Sequence, residues 1–237
     1  MNSFVSKLRD YWIFTVGSLK MARRGWSFIL TNNLVSQNRI IHEFFDEMIG
    51  YWGLQVHVEG LEHIEKNRVY MIVANHQSQM DIPVVFYSIP VPFRIAAKDK
   101  LFRIPVFGRF LHHGKFIPIF RGNSKAAIRA LELTREIIKQ GVSMFIFPEG
   151  TRSADGNLLP FKKGAFVLAI DHQLDILPVV ISGTHQVMKK GSIHIDPSHP
   201  VRVRILPPVS VAGKTYDDRD QINQQVWQQM KTCLETR

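Results

Sequence analysis

Two short segments hold side chains suited to moving a proton and gripping an anion. In Asn75-His76-Gln77-Ser78-Gln79-Met80-Asp81 an imidazole and a carboxylate stand five positions apart. A histidine can take a proton from a hydroxyl near neutral pH, and a carboxylate on its other ring nitrogen fixes the tautomer and favours the imidazolium that forms. The pair also has a plainer use, with Asp81 capping a helix that begins at Ile82 and His76 an ordinary loop residue. The second segment, Phe147-Pro148-Glu149-Gly150-Thr151-Arg152-Ser153, combines a guanidinium fork suited to phosphate with a glycine that lets backbone approach closely. Glu149 stands where it can hold that turn or a neighbouring base. Taken alone, this segment reads equally well as a turn with a solvated charge pair.

The elements around these segments decide between the readings. The apolar run 69–74 leads straight into Asn75-His76, and Pro83 falls where only the first turn of a helix tolerates it. The run 143–147 leads in the same way into Pro148-Glu149. Further short apolar runs near 54–59, 92–97, 115–119, 176–181 and 201–205 alternate with helical patterns, which predicts an α/β domain. Asn123 or Ser124 caps a helix reaching Gln140, with Ile128, Leu131, Arg135 and Ile138 at helical spacing and Gly141 as the stop. A last helix over 217–235 sets Ile222, Val226, Met230 and Cys233 on one face. In open α/β folds, loops that follow strands at one sheet edge are where ligands bind. Two chemistry-bearing loops, both placed after strands, therefore point to one site.

Residues 1–52 are of another kind. They carry ten aromatic side chains, no proline and no strand-like alternation, which predicts two helices. Up to residue 40 the bases Lys7, Arg9, Lys20, Arg23, Arg24 and Arg39 face the single acid Asp10. Bases mixed with aromatics suit a helix pair lying in an anionic membrane interface, and suit equally a hairpin packed on the domain. The division expected is thus an amino-terminal two-helix interfacial anchor over 1–52 and a catalytic domain over 53–237. The uncharged run from Gly25 to Asn38 is shorter than the roughly 20 apolar residues that span a bilayer.

Composition narrows the partners. Thirty Lys and Arg against twenty Asp and Glu leave +10 at pH 7, which favours an anionic partner. Cys233, the one cysteine, excludes an internal disulfide framework. No zinc-type spacing occurs, and His112-His113 with His76 and Asp81 form no recognised ligand pattern, so no metal is expected. Gly108 through Gly114-Lys115 has five residues between its glycines and ends in Phe116 where a phosphate loop needs Ser or Thr. The bases are scattered without a nucleic-acid recognition motif, so no nucleic acid is expected.

In their order along the chain, four blocks resemble those of the 1-acyl-sn-glycerol-3-phosphate acyltransferases, a branch of the glycerolipid acyltransferases. Asn75 to Asp81 is similar to that family's His-x4-Asp motif, and Phe147 to Ser153 to its Glu-Gly-Thr-Arg block. Between them Lys98-Asp99-Lys100-Leu101, Pro105, Gly108, Gly114, Ile117 and Arg121 resemble the second block, with Phe120 where Asp is frequent. Ile176-Leu177-Pro178-Val179-Val180 resembles the fourth. The resemblance covers about residues 54–210. It implies a mixed sheet flanked by helices, with the amino-terminal pair packed on it or on the membrane.

By position, the resemblance makes His76 the general base on the acceptor hydroxyl, with Asp81 orienting it. Arg121 and Arg152 become the holders of the acceptor phosphate, with Lys100 beside them, Glu149 shaping the pocket and Gly150 and Thr151 completing its turn. The implied reaction moves a fatty acyl group from acyl-CoA or acyl carrier protein, as co-substrate, to the sn-2 hydroxyl of 1-acylglycerol 3-phosphate. Its product is phosphatidic acid, and it needs no cofactor and no covalent acyl-enzyme. The absence of a Gly-x-Ser-x-Gly elbow agrees with direct attack. The expected place is the cytoplasmic face of the cell membrane, as a peripheral or monotopic protein on an anionic surface. Another lysolipid or glycerol 3-phosphate as acceptor, or an anionic-lipid-binding protein without turnover, are the alternative readings.

Overall fold

The computed structural model describes residue 25, residues 27–120 and residues 124–236, with the backbone alone for residues 124–131. Among the described residues seven strands form one sheet: β1 Val56–Glu59, β2 Met71–Ala74, β3 Phe93–Lys98, β4 Ile117–Ile119, β5 Ser143–Ile146, β6 Ile176–Ser182 and β7 Val201–Ile205. Each falls on one of the seven apolar runs. Their order across the sheet is β1-β7-β6-β2-β5-β3-β4. Every pairing is parallel except β6 with β7, so β1 and β7 run against the other five and the sheet is mixed.

Position in the sheet explains strand composition. Central β2 is buried at all four residues, as expected where helices cover both faces. In β7, Val201, Val203 and Ile205 are buried while Arg202 and Arg204 turn outward. One face of the sheet is covered by α1, Leu34–Trp52, and α2, Asp81–Ser88, over a cluster that includes Tyr70, Ile72, Phe86, Phe93 and Phe145. Four more helices are α3 Phe107–His113, α4 Ser124–Lys139, α5 Gly164–Asp171 and the single-turn α6 Thr184–Val187. The last, α7 Arg219–Glu235, packs with α5 on the opposite face against Met71, Met144 and Val180.

The closing helix follows the expected stripe, with Ile222, Val226 and Met230 buried and Cys233 partly so. In α4 the stripe is rotated: Thr134 and Ile137 are buried and Arg135 is exposed. Ile137 docks beside β5, so the helix turns its 134/137 edge to the sheet.

Helix α1 opens at Asn33, whose side chain accepts from Ser36 N, and closes at Gly53 with a left-handed backbone. It is tied to the sheet by a fully buried arginine. Arg94, on β3, donates to Leu34 O, Gln37 Oε1 and Asn38 Oδ1 of α1, and to Gly114 O and Phe93 O. Burial lowers its pKa to about 10, so it stays charged at neutral pH. The rest of the expected helix pair, residues 1–24 and 26, lies outside the described residues.

Candidate active site

Asn75 prepares the site by extending the β2–β6 ladder with a side chain. Its Nδ2 donates to Ile181 O and its Oδ1 accepts from Ile181 N, each at 2.8 Å, which fixes where the chain leaves the sheet. His76 is the next residue. Its Nδ1 lies 2.7 Å from Asp81 Oδ2, and its ring stacks on Phe147 at 4.0 Å between centroids. Asp81 is 0% exposed and the His76 side chain 18%.

The carboxylate of Asp81 is held on both oxygens. Oδ2 also accepts from Gln77 N at 2.6 Å and Ser78 N at 2.9 Å, while Oδ1 accepts from Thr184 Oγ1 at 2.5 Å. Its backbone donors precede the helix, so Asp81 organises the loop instead of capping α2. A carboxylate on Nδ1 places the imidazole proton there and leaves Nε2 as the nitrogen able to accept another.

The second segment is bound to the first by two hydrogen bonds. His76 N donates to Glu149 Oε1 at 3.0 Å, and Ser153 N donates to His76 O at 2.8 Å. Glu149 is buried, and among the described residues its Oε2 has no hydrogen-bond partner. Burial first, and then the charge of Asp81, push its carboxyl up to about 8, against backbone donation from His76 and Leu159. At pH 7 this group is mainly protonated, a neutral strut between two loops. Gly150 takes a left-handed backbone (φ 67°) in the turn closed by its N–H on Phe147 O.

The cations divide. Thr151 is exposed and Arg152 half-buried on this turn, with Lys190 Nζ donating to Arg152 O. Lys162 also reaches the turn: a Cβ added to Gly150 would meet its Nζ at 2.7 Å. Its neighbour Lys163 pairs instead with Asp220 at the surface. Lys100 is exposed in a 3-10 turn over Asp99–Arg103, directly after β3, at the same sheet edge as His76. Arg121 lies outside the described residues.

Gln77 and Thr184 escaped the sequence reading. The Gln77 amide donates to Gly156 O, and its Oε1 lies 3.1 Å from His185 Nδ1. Thr184 follows Gly183, whose φ of 92° and 2.3 Å approach of an added Cβ to Pro200 O admit only glycine. A Gly-Thr pair directly after a buried strand was the available signal.

Fold and site together define an α/β protein with a histidine and a buried carboxylate paired at one sheet edge, an arrangement able to move a proton. Comparisons with known proteins agree. The Acyltransferase family matches residues 55–182, more than half of the chain, and the chain belongs to that family. A 1-acyl-sn-glycerol-3-phosphate acyltransferase of Limnanthes alba is 36% identical over 174 residues, covering 73% of this chain and 61% of that protein. The mouse 1-acyl-sn-glycerol-3-phosphate acyltransferase alpha is 34% identical over 168 residues, 70% of this chain and 59% of that one. The chain thus spans about six tenths of the length of these relatives. The crystal structure of PlsC, the 1-acyl-sn-glycerophosphate acyltransferase from Thermotoga maritima, superposes with a TM-score of 0.81 at 27% identity, covering 100% of this chain and 99% of that one.

Proposed function

We propose that the chain transfers a fatty acyl group from an acyl thioester to the sn-2 hydroxyl of 1-acylglycerol 3-phosphate. The observation that carries this reading is the 2.7 Å contact of His76 Nδ1 with a fully buried Asp81, which aims the other ring nitrogen outward as a base. The names of the relatives support the acceptor. His76 Nε2 takes the hydroxyl proton as the oxygen attacks the thioester carbonyl. The tetrahedral intermediate collapses with cleavage of the C–S bond, and the imidazolium returns its proton to the leaving thiolate. No acyl-enzyme is needed. Arg152, with Arg121 and Lys100, is assigned to the acceptor phosphate, on the turn that Glu149 and Gly150 shape.

Donor and place follow from the same chemistry. Either acyl-CoA or acyl carrier protein supplies the thioester, and no cofactor enters the scheme. The acceptor is a membrane lipid, and acyl thioesters are cytoplasmic, so the enzyme works at the cytoplasmic face of the membrane. The net +10 charge suits an anionic leaflet, and residues 1–52 are assigned as an interfacial anchor whose second helix, Leu34–Trp52, packs on the sheet. Among the described residues no helix is long and apolar enough to cross a membrane.

The test is incubation of the purified chain with 1-acylglycerol 3-phosphate and labelled long-chain acyl-CoA, with acyl carrier protein thioester as a second donor. Phosphatidic acid from the unaltered chain, and at least ~10²-fold less from His76→Ala, is the expected outcome. Full turnover by the variant overturns the base assignment, and product only from a lysolipid without phosphate or from glycerol 3-phosphate overturns the acceptor.

A further inference from the structure

We infer that the turn Ile104-Pro105-Val106-Phe107, at the sheet edge that carries His76, is a segment that enters an anionic membrane surface. The inference rests on the reading that the acceptor is a membrane lipid, and it assigns the contact to the catalytic domain itself.

Exposure comes first. Four consecutive apolar residues are exposed here, with Ile104 at 46%, Val106 at 80% and Phe107 at 44%. Folded surfaces break such runs with polar residues unless the run has something to bind. The turn is also a firm protrusion. Phe107 N donates to Pro105 O and Gly108 N to Ile104 O, both at 2.7 Å. An added Cβ at Gly108 would meet Phe102 O at 2.1 Å, so the turn is pressed onto the preceding 3-10 helix.

Backbone strain coincides with exposure. Val106 has φ 66° and ψ −58°, the strained centre of a γ-turn, which a β-branched residue adopts only at a cost. A valine kept there, with its side chain in water, gains nothing from the folded chain, and strain of this kind gathers at functional contacts.

Charge identifies the occupant. Lys98, Lys100, Arg103 and Arg109 flank the turn in sequence, with Asp99 already bonded by Arg103 at 3.0 Å and Lys115 farther on bonded to Glu136. An apolar tip in a basic collar matches an acyl-chain surface beneath anionic headgroups, where each base near the surface strengthens attachment. Topology then supplies the function. The turn follows β3, which pairs in parallel with β5, itself parallel to β2, so the turn stands at the edge where His76 and Glu149 leave the sheet. A lysolipid withdrawn a short way from the leaflet would meet the base without crossing the domain.

β1 runs the other way, which sends Leu61, apolar and 46% exposed, to the opposite edge as a built-in control. The experiment places an environment-sensitive fluorophore on Val106→Cys or Leu61→Cys in the full chain with Cys233→Ser. Vesicles of phosphatidylcholine with and without phosphatidylglycerol are added. Expected is a blue shift at 106, quenched by brominated-chain lipid and dependent on phosphatidylglycerol, with no change at 61. In addition, Ile104→Ser with Val106→Ser should reduce vesicle co-sedimentation about tenfold. A probe at 106 already blue-shifted without lipid would show the turn covered by the chain itself. Equal responses at 106 and 61, or unchanged co-sedimentation, would likewise overturn the inference. The readout does not depend on turnover: phosphatidic acid formation with a silent 106 sinks this inference alone, and insertion without product sinks the acceptor reading alone.

Discussion

Thr184 donates its hydroxyl to the oxygen of Asp81 that His76 does not use, at 2.5 Å, across a separation of 103 residues. Both partners are fully buried, so the bond is made away from water and the carboxylate has one orientation. In the proposed mechanism Thr184 is a positioning residue that acts on His76 through Asp81. Thr184→Val keeps the shape and removes the donor, leaving Oδ1 unsatisfied. The expected result is a fall in kcat of about tenfold with KM for both substrates little changed, and a stability loss of about 1.5–3 kcal/mol. Thr184→Ser should recover most of the rate. A Val variant with unaltered kcat would show that the bond does not matter to the base.

Arg94 makes five hydrogen bonds in a site with no access to water, and three of them tie α1 to β3. Replacement by Ala removes a donor from three backbone carbonyls and two side-chain amides. Arg94→Ala should cost about 3–5 kcal/mol in denaturant melts. It should also raise amide exchange throughout Leu34–Trp52 while His76 and its neighbours stay protected. Unaltered exchange in that helix would mean that it is held by its apolar face alone.

These two residues also mark the limit of what the chain disclosed before folding. All seven strands were legible because buried strands read as short apolar runs, and the His76 and Glu149 loops because each directly follows one. Arg94 sits inside one of those runs, yet its partners lie on a helix more than 50 residues earlier, and no local pattern foretells a buried cation's acceptors. Thr184 was hidden for a similar reason: its role depends on β6 lying beside β2, and strand order is set by long-range packing. Lys162 looked like any surface lysine until the turn at Gly150 brought backbone beneath it.

Glu149 carries a pH signature. Its carboxyl titrates at about 8 when folded, against 4.5 ordinarily, so between these values the folded chain holds a proton that the unfolded chain has released. Its contribution is therefore fully present below about pH 4.5 and is lost as pH rises through about 8, with a slope of at most about 1.4 kcal/mol per pH unit. Glu149→Gln keeps the acceptor for His76 N and removes the titration. Relative to the unaltered chain, the variant should gain roughly 2–2.5 kcal/mol between about pH 5.5 and pH 7.5 in paired urea melts. A constant difference across that window would show that the carboxyl is ionised in both states.

Arg152 is the cation of the Glu-Gly-Thr-Arg turn, a half-buried residue whose carbonyl accepts from Lys190 and whose neighbour Ser153 donates to His76 O. A guanidinium placed there can pair with a phosphate through two parallel donors, an interaction that a substrate without phosphate cannot use. Arg152→Ala should raise KM for 1-acylglycerol 3-phosphate about tenfold or more and change kcat less, because the contact exists before and during the reaction alike. Residual turnover of 1-acylglycerol, which has the same acyl chain and hydroxyl but no phosphate, should be unchanged by the substitution. If both acceptors lose equally, Arg152 supports the fold of the turn and the phosphate is held elsewhere, with Lys162 next to be replaced.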